Sequence, residues 1–132
     1  MALVHIAVGV VVNNNAEVLV ARRAKHLHQG GLWEFPGGKL EPGETVEQAL
    51  VRELQEELSI RAEVFAPLLS IAHDYGDKKV LLDAWLVTRF TGKPVGMQGQ
   101  AVQWSRIAEL GDLTFPAANT AIIKKLVSRY HG

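Results

Sequence analysis

The chain has 132 residues, enough for one hydrophobic core and too few for two, so a single domain over residues 1–132 is expected. Fourteen Lys and Arg balance fourteen Asp and Glu, which argues against a duplex-binding protein, since such a protein normally shows a basic patch for the phosphate backbone. With no cysteine, disulfides, thiolate nucleophiles and zinc–thiolate centres are excluded.

The first segment, Leu3–Val12, is rich in Val and Ile and predicts a central strand. It has no basic leader and is too short to span a membrane, so a soluble, cytoplasmic protein without membrane contact is expected. Asn13-Asn14-Asn15 signals a turn before a returning strand, Glu17–Arg23. Ala24–Gly31 reads as a polar loop, Leu32–Pro36 as a short strand, and Gly37-Gly38 as a glycine turn. A helix is predicted from Thr45 to Leu58, with Glu44 and Glu47 where a helix N-terminus favours negative charge. Ile60–Tyr75 predicts one long strand with room for a bulge, Gly76-Asp77-Lys78 a turn, and Lys79–Phe90 an apolar return strand. After a loop at Thr91–Gly99, Ala101–Trp104 predicts a short strand and Ser105 the cap of a brief helix to Leu110. Phe115-Pro116 then introduces a final helix, Ala117–Tyr130. Strands with one early and one late helix predict an α+β sandwich, and Trp33, Trp85 and Trp104 are expected in its core or at its rim.

The helix at Thr45–Leu58 carries the unusual chemistry. Val46, Leu50, Leu54 and Leu58 recur every fourth residue and form one apolar stripe. At about 100° per residue, Glu57 falls roughly 20° from Val46 and about 40° from Glu53, inside the apolar arc, while Glu56 flanks it beside Ala49. An ordinary amphipathic helix keeps its acids on the opposite face. Carboxylates crowded at i, i+3 and i+4 repel one another, and burying one unpaired is costly. A divalent cation removes both objections, because hard oxygen ligands at this spacing converge on Mg²⁺. An isolated Glu-Glu pair on a helix is more often a solvated face, but these acids lie on the wrong side and follow a glycine-rich stretch.

Gly38, five residues, Glu44, seven residues, then Arg52-Glu53-Leu54-Gln55-Glu56-Glu57 resembles the Nudix box of hydrolases acting on nucleoside diphosphate-linked substrates. The likeness covers 23 consecutive positions, 38–60, with Ser59 standing where the family usually has Gly. It extends to the MutT-type branch through Arg23, His28, Phe35 and Phe115-Pro116-Ala117-Ala118-Asn119, and covers most of the chain.

The resemblance implies an α+β Nudix fold, a mixed β-sheet core sandwiched between helices. It also implies a Mg²⁺-dependent pyrophosphohydrolase, with Mn²⁺ able to substitute, that converts 8-oxo-dGTP to 8-oxo-dGMP and pyrophosphate. Such an enzyme would sanitise the nucleotide pool, act on a small nucleotide rather than a nucleic-acid polymer, and work as a monomer. Glu53, Glu56, Glu57 and the Gly37 carbonyl match the metal ligands. Glu53 is the matching general base with Glu44 as the alternative, and Arg52 would orient Glu53. Arg23, His28, Glu34, Phe35, Pro36, Gly37 and Asn119 match substrate-binding positions. Asn119 would read an oxidised purine through its amide, which offers both a donor and an acceptor. On the residues alone, Arg23 is a solvated cation, Phe35 a core ring and Asn119 a first-turn residue of the last helix. Gln98 departs from the MutT pattern, which has an additional acidic ligand there. Two alternatives stand beside this reading. One is the same chemistry on CTP, dCTP or another modified nucleotide; the other is a non-catalytic nucleotide sensor, which predicts a broken box.

Overall fold

The run from Leu3 is apolar without alternation because both of its faces are covered. In the computed structural model, which describes residues 3–22 and 31–130, it forms β1 (Leu3–Val11). After the turn at residues 13–16 comes β2 (Glu17–Arg22), followed along the chain by β3 (Trp33–Glu34) and β4 (Gly37–Lys39). Then come α1 (Val46–Leu58), β5 (Arg61–Asp74), β6 (Lys79–Thr91), β7 (Ala101–Arg106) and α2 (Thr120–Tyr130). One sheet has the order β4-β1-β6-β5, with β1 parallel to β6 and its other pairs antiparallel. A second, three-stranded antiparallel sheet has the order β3-β2-β7.

The pleat of β1 and β6 divides two cores. Val8, Val10, Leu82 and Ala84 face one way, packing with Val18 and Val20 of β2 and with Ile122 and Leu126 of α2. Ala7, Val11 and Val87 face the other way, against Ala49, Leu50, Leu54 and Leu58 of α1. Each fully buried Leu of that stripe contributes roughly 1.5–3 kcal/mol. Gly9 sets how closely α1 can approach, since a Cβ there would sit 3.1 Å from Leu54 and 3.3 Å from Leu50. Mixed sheets with a helix against each side make this an α+β fold, as the sequence implied. Among the described residues no helix is long and apolar enough to cross a membrane.

Both ends of α1 are closed. Thr45 and Gln48 form a reciprocal capping box at the start. At the end Ser59 takes the left-handed conformation (φ 58°, ψ 34°), in which its N–H reaches the Gln55 carbonyl. β5 carries register shifts near Val64 and Pro67, the bulging its length allowed.

Three local expectations need correction. Leu32–Pro36 is not one strand: Trp33–Glu34 pairs with β2 in one sheet, and the chain then changes sheets. Gly37-Gly38 is not a turn but the start of β4, antiparallel to β1, and the turn lies at Glu41–Glu44, where Gly43 has φ 81°. Glycine is needed at Gly37 because its φ of 151° and the adjacent Ala7 carbonyl leave no room for a Cβ. Ser105 caps no helix: it lies within β7, accepts a hydrogen bond from Gln103 Nε2, and is followed by a 3-10 turn at Ile107–Asp112. The final helix also starts with a 3-10 turn, Ala117–Asn119, before α2 proper.

Candidate active site

The apolar stripe of α1 presses Leu50, Leu54 and Leu58 into the core, and this carries Glu53 and Glu57 up against β4. The Glu57 carboxylate accepts the Gly37 N–H at 3.0 Å. Burial pushes its pKa up to about 7, and the Glu53, Glu34 and Glu56 carboxylates add to the rise while the Gly37 N–H opposes it. Glu53 lies directly over Gly38, so closely that a Cβ there would overlap the carboxylate.

Arg52 ties the acids together. Its Nε and Nη2 grip Glu44 in a two-point contact at 2.6 and 3.0 Å. Nη1 donates to Glu53 at 2.8 Å and to Glu56 at 3.2 Å, and Nη2 also reaches the Lys39 carbonyl at 3.1 Å. The Arg52 hydrogen bond holds the Glu44 carboxyl below the usual carboxylate range, helped by the Glu41 N–H, and Arg52 itself is raised by Glu44. Glu44 is thus the anchor of the guanidinium, and with both oxygens engaged it is a poor proton acceptor for a water.

Among the described residues, no three His, Asp or Glu side chains are already gathered tightly enough to hold a metal ion, and Glu53 and Glu56 both turn to Arg52. The donor set nevertheless suits a hard divalent cation: a largely buried acid ringed by three others, and a glycine that keeps space open at Glu53.

Gly37 and Gly38 also line an open cleft of about 380 Å³ on the opposite side of β4. Its apolar floor is Val4, Ile6 and Val8 of β1 with Val80 and Leu82 of β6. Glu34 and Phe35 line it near the glycines, and Pro116 and Asn119 close the side next to α2. Phe35 is almost fully buried and stacks on Phe115 with centroids 5.2 Å apart, so it is both a core ring and part of the wall. Asn119 is buried, its Nδ2 3.5 Å from the Pro116 carbonyl. Pro36 does not line the cleft; its carbonyl accepts the Gly9 N–H at 2.8 Å and bolts this segment to β1. Arg23 and His28 lie outside the described residues.

Sequence reasoning missed Lys39, Tyr75 and Lys78, all of which line the cleft. Tyr75 and Lys78 flank the tip of the β5–β6 hairpin, where the Tyr75 N–H bonds the Lys78 carbonyl at 2.9 Å. An aromatic and a cation on either side of a Gly-Asp turn were the available signal, but only the parallel β1–β6 pairing brings that tip to the cleft.

The match to known proteins agrees with this geometry. A family profile described as NUDIX domain matches residues 7–125. An 8-oxo-dGTP diphosphatase from Escherichia coli K12 is 43% identical over 126 residues, covering 96% of this chain and 98% of that protein. A CTP pyrophosphohydrolase from the same strain is 39% identical over 111 residues, covering 84% of this chain and 81% of its own length. A solved structure from work on MutT of Aliivibrio salmonicida and Vibrio cholerae superimposes with a TM-score of 0.88 at 38% identity, over 98% of this chain and all (100%) of that one.

Proposed function

This chain belongs to the Nudix hydrolase family, and from that membership we propose that it converts 8-oxo-dGTP to 8-oxo-dGMP and pyrophosphate with Mg²⁺, as a cytoplasmic monomer of one domain. The observation that carries the reading is a single cleft that has Asn119 on one wall and Gly37 and Gly38 on the other, with Glu53 and Glu57 directly behind those glycines.

Gly37 and Gly38 leave the phosphate path clear of side chains. Glu53, Glu56, Glu57 and the Gly37 carbonyl would hold a divalent cation, which would supply neutralisation of phosphate charge and a more acidic water. Glu53 accepts the proton of the attacking water, and Arg52 holds it by one oxygen so that the other points toward Gly38. Arg52 spends its remaining donors on Glu44, Glu56 and the Lys39 carbonyl, which makes it a positioning residue. The purine lies on the apolar floor of β1 and β6, and the Asn119 amide pairs with its edge. Lys78 and Lys39 offer positive charge on the lining of the same cleft. Water adds to phosphorus, the phosphoanhydride bond breaks, and the leaving pyrophosphate takes the electron pair.

The 39% identity to a CTP pyrophosphohydrolase supports a second reading, in which the same chemistry acts on a cytidine nucleotide. A panel of 8-oxo-dGTP, dGTP, CTP and dCTP with Mg²⁺, scored for pyrophosphate against orthophosphate, tests both. Selective pyrophosphate release from 8-oxo-dGTP is expected. Preference for CTP or dCTP would replace the first reading with the second, and orthophosphate as the product would contradict both.

A further inference from the structure

The last turn of α1 is closed by residues far along the chain. Carbonyl groups there have no partners within the helix and must find them elsewhere. The Leu58 carbonyl accepts the Val95 N–H at 3.0 Å, and the Glu57 carbonyl accepts the Met97 N–H at 3.0 Å. The Glu57 carbonyl accepts a second bond, from Gln100 Nε2 at 3.3 Å. The other end of the same amide, Gln100 Oε1, accepts the Gln98 N–H at 2.9 Å. One end therefore meets a carbonyl and the other an N–H, so only one orientation of the amide satisfies both.

We propose that Gln100 is a positioning residue that fixes the main chain of Glu57 and so sets where its carboxylate meets the divalent cation. This rests on the reading of Glu57 as a metal ligand. Glu57 is held from two sides: its carboxylate by the Gly37 N–H of β4, its carbonyl by Met97 and Gln100 of the loop after β6. A helix residue clamped at both its side chain and its carbonyl cannot shift along the axis without breaking one set of bonds. Gln100 is half-buried, and both ends of its amide are engaged by main-chain groups. The loop is folded tightly on it, because a Cβ at Gly96 would overlap the Gln100 carbonyl.

Two variants separate the bonds. Gln100→Glu keeps the volume and the acceptor for the Gln98 N–H but deletes the donor to Glu57; Gln100→Ala deletes both. Mn²⁺ binding to the substrate-free protein, measured by electron paramagnetic resonance, gives a readout independent of turnover, with Glu57→Gln as the reference for loss of the ligand. Each Gln100 variant is expected to weaken Mn²⁺ binding by about 3–10-fold, the worth of one hydrogen bond, with little change in melting temperature. Weakening in Gln100→Glu is the stringent result, because its added negative charge should by itself attract the cation. Unchanged binding in both variants overturns the proposal, and so does weakening in Gln100→Ala alone, which would assign the effect to the Gln98 bond. A fall of more than about 5 °C in melting temperature in both variants overturns it in favour of a purely structural role. If Glu57→Gln binds Mn²⁺ as wild type does, the ligand assignment itself fails and takes this inference with it.

Discussion

Arg52 makes hydrogen bonds to Glu44, Glu53, Glu56 and the Lys39 carbonyl, whereas among the described residues the Asn119 amide keeps one 3.5 Å contact, with the Pro116 carbonyl. The acidic end of α1 is a closed charge network whose members lie within one stretch of sequence. The apolar cleft is assembled from β1, β4, the β5–β6 hairpin and the turn before α2, and the Asn119 amide on its lining keeps hydrogen-bonding capacity to spare. Under the proposed function the difference separates two tasks: the acids bound to Arg52 serve one reaction on any substrate, and the Asn119 amide discriminates between bases. Changes at the acidic end should therefore alter rate on all nucleotides alike, and changes in the cleft should alter preference.

The largest expected effect is at Glu53. Glu53→Gln keeps the volume and removes the proton acceptor, so kcat should fall by roughly three or more orders of magnitude on every substrate, with the fold intact. Near-normal turnover at saturating Mg²⁺ would remove Glu53 from the chemistry.

Gly38→Ala tests the same end by sterics. The new Cβ overlaps the Glu53 carboxylate and no backbone atom is among its nearest neighbours, so the side chain must move while β4 stays in place. Turnover should drop about 100-fold or more with a melting temperature close to wild type, on the scale of a misplaced catalytic group. A large loss of stability would instead mean that β4 itself had shifted.

Glu57 gives a pH signature. Its pKa in the folded chain is pushed up to about 7, above the ordinary 4.5, so the folded state holds this proton more tightly than the unfolded state. The stability it contributes is complete below pH 4.5 and is lost as pH rises through 7. At about 1.4 kcal/mol per unit, the metal-free protein should lose on the order of 3 kcal/mol across that window. Glu44, whose pKa is shifted the other way, acts only at lower pH. Saturating Mg²⁺ or Glu57→Gln should flatten the slope in chemical denaturation between pH 5 and 8. A slope unchanged in Glu57→Gln would trace it to another group.

Ser59→Gly gives the smallest effect. Ser59 already has the left-handed backbone that glycine adopts freely, so the variant should be about 0.5–1 kcal/mol more stable. The nucleotide preference should not change. A lower melting temperature would show that the Ser59 side chain contributes more than its backbone strain costs.

The same contrast explains what could be read in the sequence. The acids of α1 were legible because helical periodicity places Glu53 and Glu57 beside Leu50, Leu54 and Leu58 without knowledge of any other segment. The Arg52–Glu53 contact was expected from the family resemblance; the Arg52–Glu44 contact was not, because it crosses the turn at Glu41–Glu44. The glycines were misread as a turn since glycine serves both turns and close backbone approach, and only the β1–β4 register decides between them. Lys78 and Tyr75 stayed hidden because nothing local reveals that β1 and β6 are parallel neighbours. Ser105 was read as a cap because Ser favours helix starts, but pairing of β7 with β2 continues through Arg106 and overrides that local preference.

Division of labour between the two ends is tested most directly by kcat/KM for 8-oxo-dGTP and for dGTP in Asn119→Ala, at one fixed Mg²⁺ concentration. Asn119 lines the cleft, its amide contacts the Pro116 carbonyl, and its loss removes a donor and an acceptor from a buried position. A net hydrogen bond is worth about 0.5–1.5 kcal/mol and an unsatisfied buried partner costs about 1–3 kcal/mol, so kcat/KM for 8-oxo-dGTP should fall roughly 10–1000-fold. The value for dGTP should fall much less, and the selectivity ratio should collapse toward one. Equal losses on both nucleotides, or none on either, would contradict the separation of recognition from chemistry.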